Sequence, residues 1–279
     1  MQKNHKIAFF GTPYFAVYVL DELEHAGISP QLVVTVPDKP AERGLEMKAP
    51  AVKLWAEKNA IPFIQPEKLE TKQLGGFDFF VVAAYGKLLP KEILDLPRFG
   101  TLNVHPSLLP KFRGPSPIEA QILNDVKEVG VSIILLDEEA DHGPILAQKT
   151  ISLPEPIGRK ALEEILWHQG GKLLAETILP YMQGRLKPQE QAHAEATFTP
   201  KLSKKDGLLD LSGDARKNYL KYLAYEGWPG TYFFAKRFGK EVWVKITNAL
   251  YQNGKFTPTK IIPEGKKEME YADFARSDR

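Results

Sequence analysis

The sequence contains no cysteine. That absence removes a disulfide framework, a thiolate zinc site and a cysteine nucleophile at once, and an intracellular, cytoplasmic protein is the expectation it leaves. No apolar run approaches the roughly 18 residues that a membrane span needs. The one apolar stretch near the start, from Ile7 to Leu20, is broken by Gly11, Thr12 and Pro13 and followed by Asp21 and Glu22, so it does not read as a secretory signal. Also missing are a G-x-G-x-x-G turn, a phosphate-cradling P-loop and a G-x-S-x-G elbow. Nicotinamide, ATP and serine-hydrolase chemistry therefore have no sequence support. His142 has no second metal-type neighbour at helical or turn spacing, so no metal is assigned.

What is present is an ordinary globular composition, 43% hydrophobic and 26% charged, long enough for a large domain and a small one. The net charge of +2 is unevenly placed. From Lys201 onward there are 16 Lys and Arg against 10 Asp and Glu, whereas residues 1–200 are net acidic by four. A basic tail region points to a polyanionic partner, and scattered solvated lysines would give the same count.

Short apolar strands alternate with helical patterns through the first two thirds. Lys6–Phe10, Leu32–Val36, Phe77–Ala84, Thr101–His105 and Val129–Leu136 read as strands. Tyr14 onward, Pro50–Asn59, Ser116–Asn124 and Arg159–Tyr181 read as helices. Thr12 is the expected N-cap of the first helix, with Pro13 at its first position. Such alternation predicts a doubly wound α/β sheet, mostly parallel, with Ile145–Leu153 added antiparallel. Residues 184–205 lack periodicity and carry Pro188 and Pro200, which marks a linker. The division expected is thus 1–183 for the α/β domain, 184–205 for the linker and 206–279 for a small β domain, a partly open barrel.

The chemistry concentrates at Thr101-Leu102-Asn103-Val104-His105-Pro106. Alternate residues of a strand share a face, so Asn103 and His105 project together. Pro106 ends the strand, which puts this pair at the carboxyl edge where open α/β sheets hold ligands. An amide donor beside an imidazole is what acyl transfer to an amine requires. After the next strand comes the acidic turn Asp137 to Pro144, from which one carboxylate could reach and orient the imidazole. Spacing does not separate Asp137 from Asp141. Between them, Ser107 to Pro117 holds three prolines and a glycine after its first leucines, a stiff loop suited to forming a ligand wall.

Asn103-Val104-His105-Pro106-Ser107-Leu108-Leu109-Pro110-Lys111-Phe112-Arg113-Gly114, followed by Asp141-x-Gly143-Pro144-Ile145-Leu146, resembles the signature of the 10-formyltetrahydrofolate-dependent formyltransferases. Further segments resemble the branch whose acceptor is a charged initiator tRNA. They are Phe10-Gly11-Thr12-Pro13-x-Phe15-Ala16, Pro37-Asp38-Lys39-Pro40-Ala41-x-Arg43-Gly44, Ala84-Tyr85-Gly86 and Lys201-Leu202-Ser203-Lys204-x-Asp206-Gly207. Trp228-Pro229-Gly230-Thr231 and Pro263-Glu264-Gly265-Lys266-Lys267-x-Met269 belong with them.

The resemblance implies a formyltransferase-like fold with a small OB-like domain, 10-formyltetrahydrofolate as formyl donor, no metal, and the methionyl amine of the tRNA as acceptor. A monomer is expected. By match, Asn103, His105 and Asp141 are the catalytic trio, and the resemblance selects Asp141 over Asp137. Folate is expected against Ala84, Tyr85, Gly86, Ser107, Leu108, Leu109, Pro110, His142 and Gly143. The tRNA is expected against Lys39, Arg43, Lys48, Arg113 and the C-terminal domain.

Three departures stand out. Glu46 dilutes the positive loop Arg43–Lys48, Tyr225-Glu226-Gly227 replaces the usual Asn-Pro lead, and the C-terminal region is short for the family, which implies a shortened barrel. A formyltransferase acting on a sugar-nucleotide amine or on glycinamide ribonucleotide would carry the same trio, but the basic tail region and the Pro37–Gly44 loop argue against both, and the intact trio argues against a catalytically silent RNA-binding module.

Overall fold

A computed structural model describes residues 5–40, 47–237 and 239–276. The elements follow in chain order. The first part comprises β1 (Ile7–Gly11), α1 (Tyr14–His25), β2 (Leu32–Val34), β3 (Lys39–Pro40), β4 (Met47–Lys48), α2 (Ala51–Lys58), β5 (Phe63–Ile64), β6 (Phe79–Ala83), α3 (Lys91–Leu94) and β7 (Thr101–His105). Then come α4 (Pro117–Leu123), β8 (Glu128–Leu135), β9 (Ile145–Ser152), α5 (Arg159–Met182), α6 (Ala215–Ala224), β10 (Thr231–Arg237), β11 (Lys240–Gln252), β12 (Lys255–Pro263), β13 (Met269–Glu270) and α7 (Tyr271–Arg276).

The main sheet runs β5-β2-β1-β6-β7-β8-β9. β5, β2, β1, β6 and β7 are mutually parallel, and β8 turns antiparallel to β7. β1, β6 and β7 are buried along their whole length, as parallel strands covered on both faces must be, and this accounts for the unbroken apolar runs of β1 and β6; β7 buries Thr101, Asn103 and His105 as well. The strand order reverses between β1 and β6, so the crevice that doubly wound sheets use for ligands opens beyond Gly11 and Ala83.

Two glycines set how closely α5 can lie on its neighbours, Gly170 on the sheet and Gly171 on α1. A Cβ on Gly170 would stand 2.5 Å from Cγ1 of Val104, and one on Gly171 would stand 3.0 Å from Cα of Val19. Each costs roughly 1 kcal/mol of helix propensity relative to Ala. In exchange the helix lies directly behind Val104, the residue between Asn103 and His105.

The sequence expectation for Thr12 needs correction. The N-cap position of α1 is Pro13, with no side-chain cap. Thr12 Oγ1 instead donates to the carbonyl of Tyr85 at 2.9 Å, tying the ends of β1 and β6 together across the crevice.

By contacts the chain divides into two compact units. One comprises residues 1–114, 129–151 and 163–198, the other 115–128, 152–162 and 199–279. Residues 184–198, expected in the linker, cluster with the first unit, and 115–128 and 152–162 cluster with the second. In the second unit β10-β11-β12-β13 form an antiparallel meander, and Leu208 and Leu209 pair along the outer edge of β10. Phe233, Val244, Ile246, Ile261 and Phe274 fill its core. The helix α6 was not anticipated. Asp214 caps it by accepting from Lys217 N–H at 2.7 Å, and Arg216 holds Asp125 through two hydrogen bonds of 3.1 and 3.0 Å.

Candidate active site

Asn103 and His105 lie at the carboxyl end of β7, both buried, with 8% and 4% of their surface exposed. Strand alternation put them on one face, and the antiparallel register of β8 sets Ile134 beside Asn103 and Ser132 beside His105. Among the described residues no protein group hydrogen-bonds the Asn103 side chain. Its amide is not among the sealed, partnerless polar groups, so it stays open at the crevice and available to a ligand.

His105 is held at both ring nitrogens. Nε2 lies 3.0 Å from the carbonyl oxygen of Phe112, and Nδ1 lies 3.3 Å from Oδ1 of Asp141. A carbonyl only accepts, so Nε2 carries a proton. Burial by itself would raise the Asp141 carboxyl. The charge of His105, the bond to its ring, the Gly114 N–H and the charge of Arg113 outweigh burial and hold the carboxyl below its ordinary range. Both ring nitrogens therefore face groups that only accept, the Phe112 carbonyl and the Asp141 carboxylate.

Asp141 itself is fixed from its second oxygen, where Oδ2 accepts the backbone N–H of Gly114 at 2.7 Å. Its backbone is left-handed, φ +54°, as are Phe112 at +62° and Ala84 at +49°. Each such non-glycine residue costs roughly 1–2 kcal/mol, and three of them lie in loops around one strand end. Gly143 completes the turn for a steric reason, since a Cβ there would sit 1.8 Å from the carbonyl oxygen of Leu135. The alternative carboxylate, Asp137, is engaged elsewhere, with Oδ2 2.7 Å from Nδ1 of His142.

The loop after β7 is secured by one hydroxyl. Ser132 Oγ donates to the carbonyl of Ser107 at 2.7 Å and accepts the N–H of Leu109 at 3.0 Å and Nε2 of Gln148 at 2.8 Å. Ser107, expected to face folate, is fully buried, and its Oγ donates to the carbonyl of Lys111 at 2.7 Å. Leu109 is likewise buried, whereas Leu108 and Pro110 are partly exposed.

At the end of β6, Ala84 is half-buried and Gly86 exposed, with φ +81°. The Tyr85 ring points into the core and meets Phe10 edge-on at 5.5 Å. Its hydroxyl is sealed without a partner among the described residues, and burial pushes its pKa up.

The residues expected to meet tRNA separate into three groups. Lys39 and Lys48 are directly opposite one another in the β3–β4 pair, both exposed. Arg43 lies outside the described residues, as does Glu46. Arg113 is 4% exposed, and its guanidinium is turned inward, donating to Oε1 of Gln191 from Nε (3.2 Å) and Nη2 (2.7 Å). Nη2 also lies 2.9 Å from Nδ1 of His193.

Gln191, His193 and Thr197 were not anticipated. The stretch that carries them has no periodicity, and its only sequence signal was polarity beside prolines. Thr197 accepts the Phe112 N–H on Oγ1 at 2.8 Å and the Arg113 N–H on its carbonyl at 2.8 Å. His193 stacks on His142 with ring centroids 4.1 Å apart.

Comparison with known proteins bears on the same residues. The family described as formyl transferase matches residues 5–178. The methionyl-tRNA formyltransferase of Thermodesulfovibrio yellowstonii is 38% identical, over 96% of this chain and 94% of the relative. That of Thermus thermophilus is 38% identical over 97% and 95%. Among solved structures, methionyl-tRNA formyltransferase from Clostridium thermocellum superposes with a TM-score of 0.58 at 19% identity, over 95% of this chain and 99% of that one. HypX from Aquifex aeolicus, in complex with tetrahydrofolic acid, gives 0.67 at 18% identity, over 99% of this chain and 47% of that one. At these identities the two structures speak to the fold alone.

Proposed function

The chain belongs to the formyl transferase family, in the methionyl-tRNA formyltransferase branch, and from that premise we propose that its chemistry runs through Asn103, His105 and Asp141. The enzyme transfers the formyl group of 10-formyltetrahydrofolate to the amine of methionyl-tRNA. The neutral amine attacks the formyl carbon, a C–N bond forms, and the carbonyl oxygen becomes an oxyanion. The bond from that carbon to folate N10 then breaks, and the proton lost by the amine is balanced by the one N10 gains.

Negative charge develops on one oxygen, and positioned donors in a site shielded from water stabilise it far more than bulk water does. The Asn103 amide, without a partner among the described residues, supplies a hydrogen bond. His105, in its protonated form, supplies positive charge beside it. Asp141 keeps that charge in place and fixes the ring plane from one side, while the Phe112 carbonyl fixes it from the other. The observation that carries this reading is the 3.3 Å approach of Asp141 to an imidazole whose other nitrogen already donates.

For tRNA, Lys39 and Lys48 support a phosphate contact. Like charges directly opposite on paired strands destabilise each other, and an intervening phosphate reverses that cost. The basic C-terminal unit supports a second contact. Folate binding is supported at the rim formed by Ala84, Gly86, Leu108 and Pro110, with Tyr85 contributing through its backbone.

The test is to offer, side by side, charged initiator tRNA, charged elongator tRNA, free methionine and a sugar-nucleotide amine. Rapid formylation of the charged initiator tRNA is expected. Preference for the sugar-nucleotide amine would overturn the acceptor, and turnover of none would favour a silent binding module.

A further inference from the structure

Gln191 is buried, 4% exposed, and every hydrogen-bonding position of its amide is taken. Oε1 accepts twice from Arg113. Nε2 donates to the carbonyl of Asp141 at 2.9 Å and to that of Gly143 at 2.7 Å. The amide orientation is fixed by chemistry, because a guanidinium offers only donors and the two carbonyls only acceptors. Turning the amide over would set donor against donor and acceptor against acceptor.

The segment carrying this amide is stapled on both sides. Gln189 exchanges two backbone hydrogen bonds with Ile145, at 2.7 and 2.8 Å, just beyond the acidic turn. Thr197 holds Phe112 and Arg113, just beyond β7. Gln191 lies between these staples and joins the two loops that supply the partners of His105. One loop gives the Phe112 carbonyl, the other the Asp141 carboxylate. The Asp141 backbone is left-handed and does not hold that conformation unaided. The amide of Gln191 bonds the carbonyls at both ends of the turn Asp141–Gly143.

We infer that Gln191 is a positioning residue for formyl transfer, setting the direction from which the Asp141 carboxylate meets His105. It touches no reacting atom and acts through Asp141, so the inference rests on the catalytic role assigned to Asp141 above. The geometry asks for reach and for two donors. Asn is one carbon too short. Glu keeps acceptors for Arg113 but turns a carboxylate oxygen toward both carbonyls.

A double-mutant cycle separates this role from a merely structural one. Single-turnover formylation of charged initiator tRNA is measured, at saturating folate donor, for wild type, Gln191→Glu, Asp141→Asn and the double variant. In the wild-type background Gln191→Glu is expected to slow the chemical step at least about tenfold, since small misplacements of a positioned group have costs of this order. KM for tRNA should stay unchanged. In the Asp141→Asn background the same substitution should cost less than about twofold, because the group it positions has gone.

Gln191→Met, close in shape and without hydrogen bonds, runs through the same cycle, with melting curves alongside, in case Gln191→Glu folds poorly. Equal losses in both backgrounds, no loss in the wild-type background, or failure of both variants to fold would overturn the inference. If Asp141→Asn alone were as active as wild type, the role of Asp141 would fall first, and that of Gln191 with it.

Discussion

Asp141 and His105 meet at 3.3 Å, carboxylate Oδ1 to ring Nδ1, from two strands' ends that the sequence separates by the whole of α4 and β8. Each partner is restrained independently, Asp141 by Gly114 N–H and His105 by the Phe112 carbonyl. The pair is therefore oriented before any substrate arrives, and its removal has consequences that can be measured.

Asn103→Ala and His105→Ala should each lower kcat by roughly 10²-fold or more, the usual cost of losing an oxyanion donor or a charged acid–base group. Both variants should still bind a reduced-folate analogue and rise in Tm with it. An Asn103→Ala enzyme with near-normal kcat would remove Asn103 from the mechanism.

Asp141 also links stability to pH. Its folded carboxyl titrates below the ordinary value, so it contributes stability that is complete above the unfolded pKa, near ~3.9, and is lost as pH falls through the lower folded value. The stability gap between wild type and Asp141→Asn should be widest at neutral pH and close progressively below about pH 4. Urea unfolding at a series of pH values reads it directly. A gap that does not change with pH would mean that the ion pair is not formed.

Gly143→Ala should be severe although it adds one methyl, because the new Cβ would lie 1.8 Å from the Leu135 carbonyl and only backbone movement can relieve that. Activity should fall with Asp141 displaced. A Gly143→Ala crystal structure with the turn unmoved and activity intact would refute this account of the Asp-x-Gly motif.

Tyr85→Phe removes a buried hydroxyl that has no partner among the described residues. Stability should be unchanged or slightly raised, with folate-analogue affinity the same. If the hydroxyl contacts folate, titration calorimetry will instead show weaker binding.

Lys39→Ala with Lys48→Ala should raise KM for charged tRNA while leaving folate affinity alone. Phosphate contacts release counterions, so KM should rise with salt with a shallow log–log slope of roughly 2–4 in wild type, and less in the double variant. Arg43→Ala belongs in the same series. Arg113→Ala should behave differently, lowering kcat and stability, because its guanidinium is committed to Gln191. A flat salt response unaffected by any of these lysines would shift the acceptor to a small-molecule amine.

The sequence by itself determined the strands, the facing of Asn103 and His105, and the position of that pair at a sheet's carboxyl edge. All three depend on local periodicity, apolar runs covered on both faces and a terminating proline, which neighbouring residues specify. Only the tertiary structure decided between Asp137 and Asp141 on physical grounds, because their spacing is equivalent and what differs is which carboxylate Gly114 and His105 can reach. It also turned Thr12 from a cap into a clasp on Tyr85 and drew the Arg113 guanidinium inward. Polarity and proline had marked residues 184–205 as linker, yet 189–197 is stapled beneath the site. Those outcomes depend on partners far away in the chain, such as Gln191 for Arg113 and for the Asp141 turn. A hydrogen bond between distant segments leaves no period in either of them, so it becomes visible only once the backbone brings donor and acceptor within 3 Å.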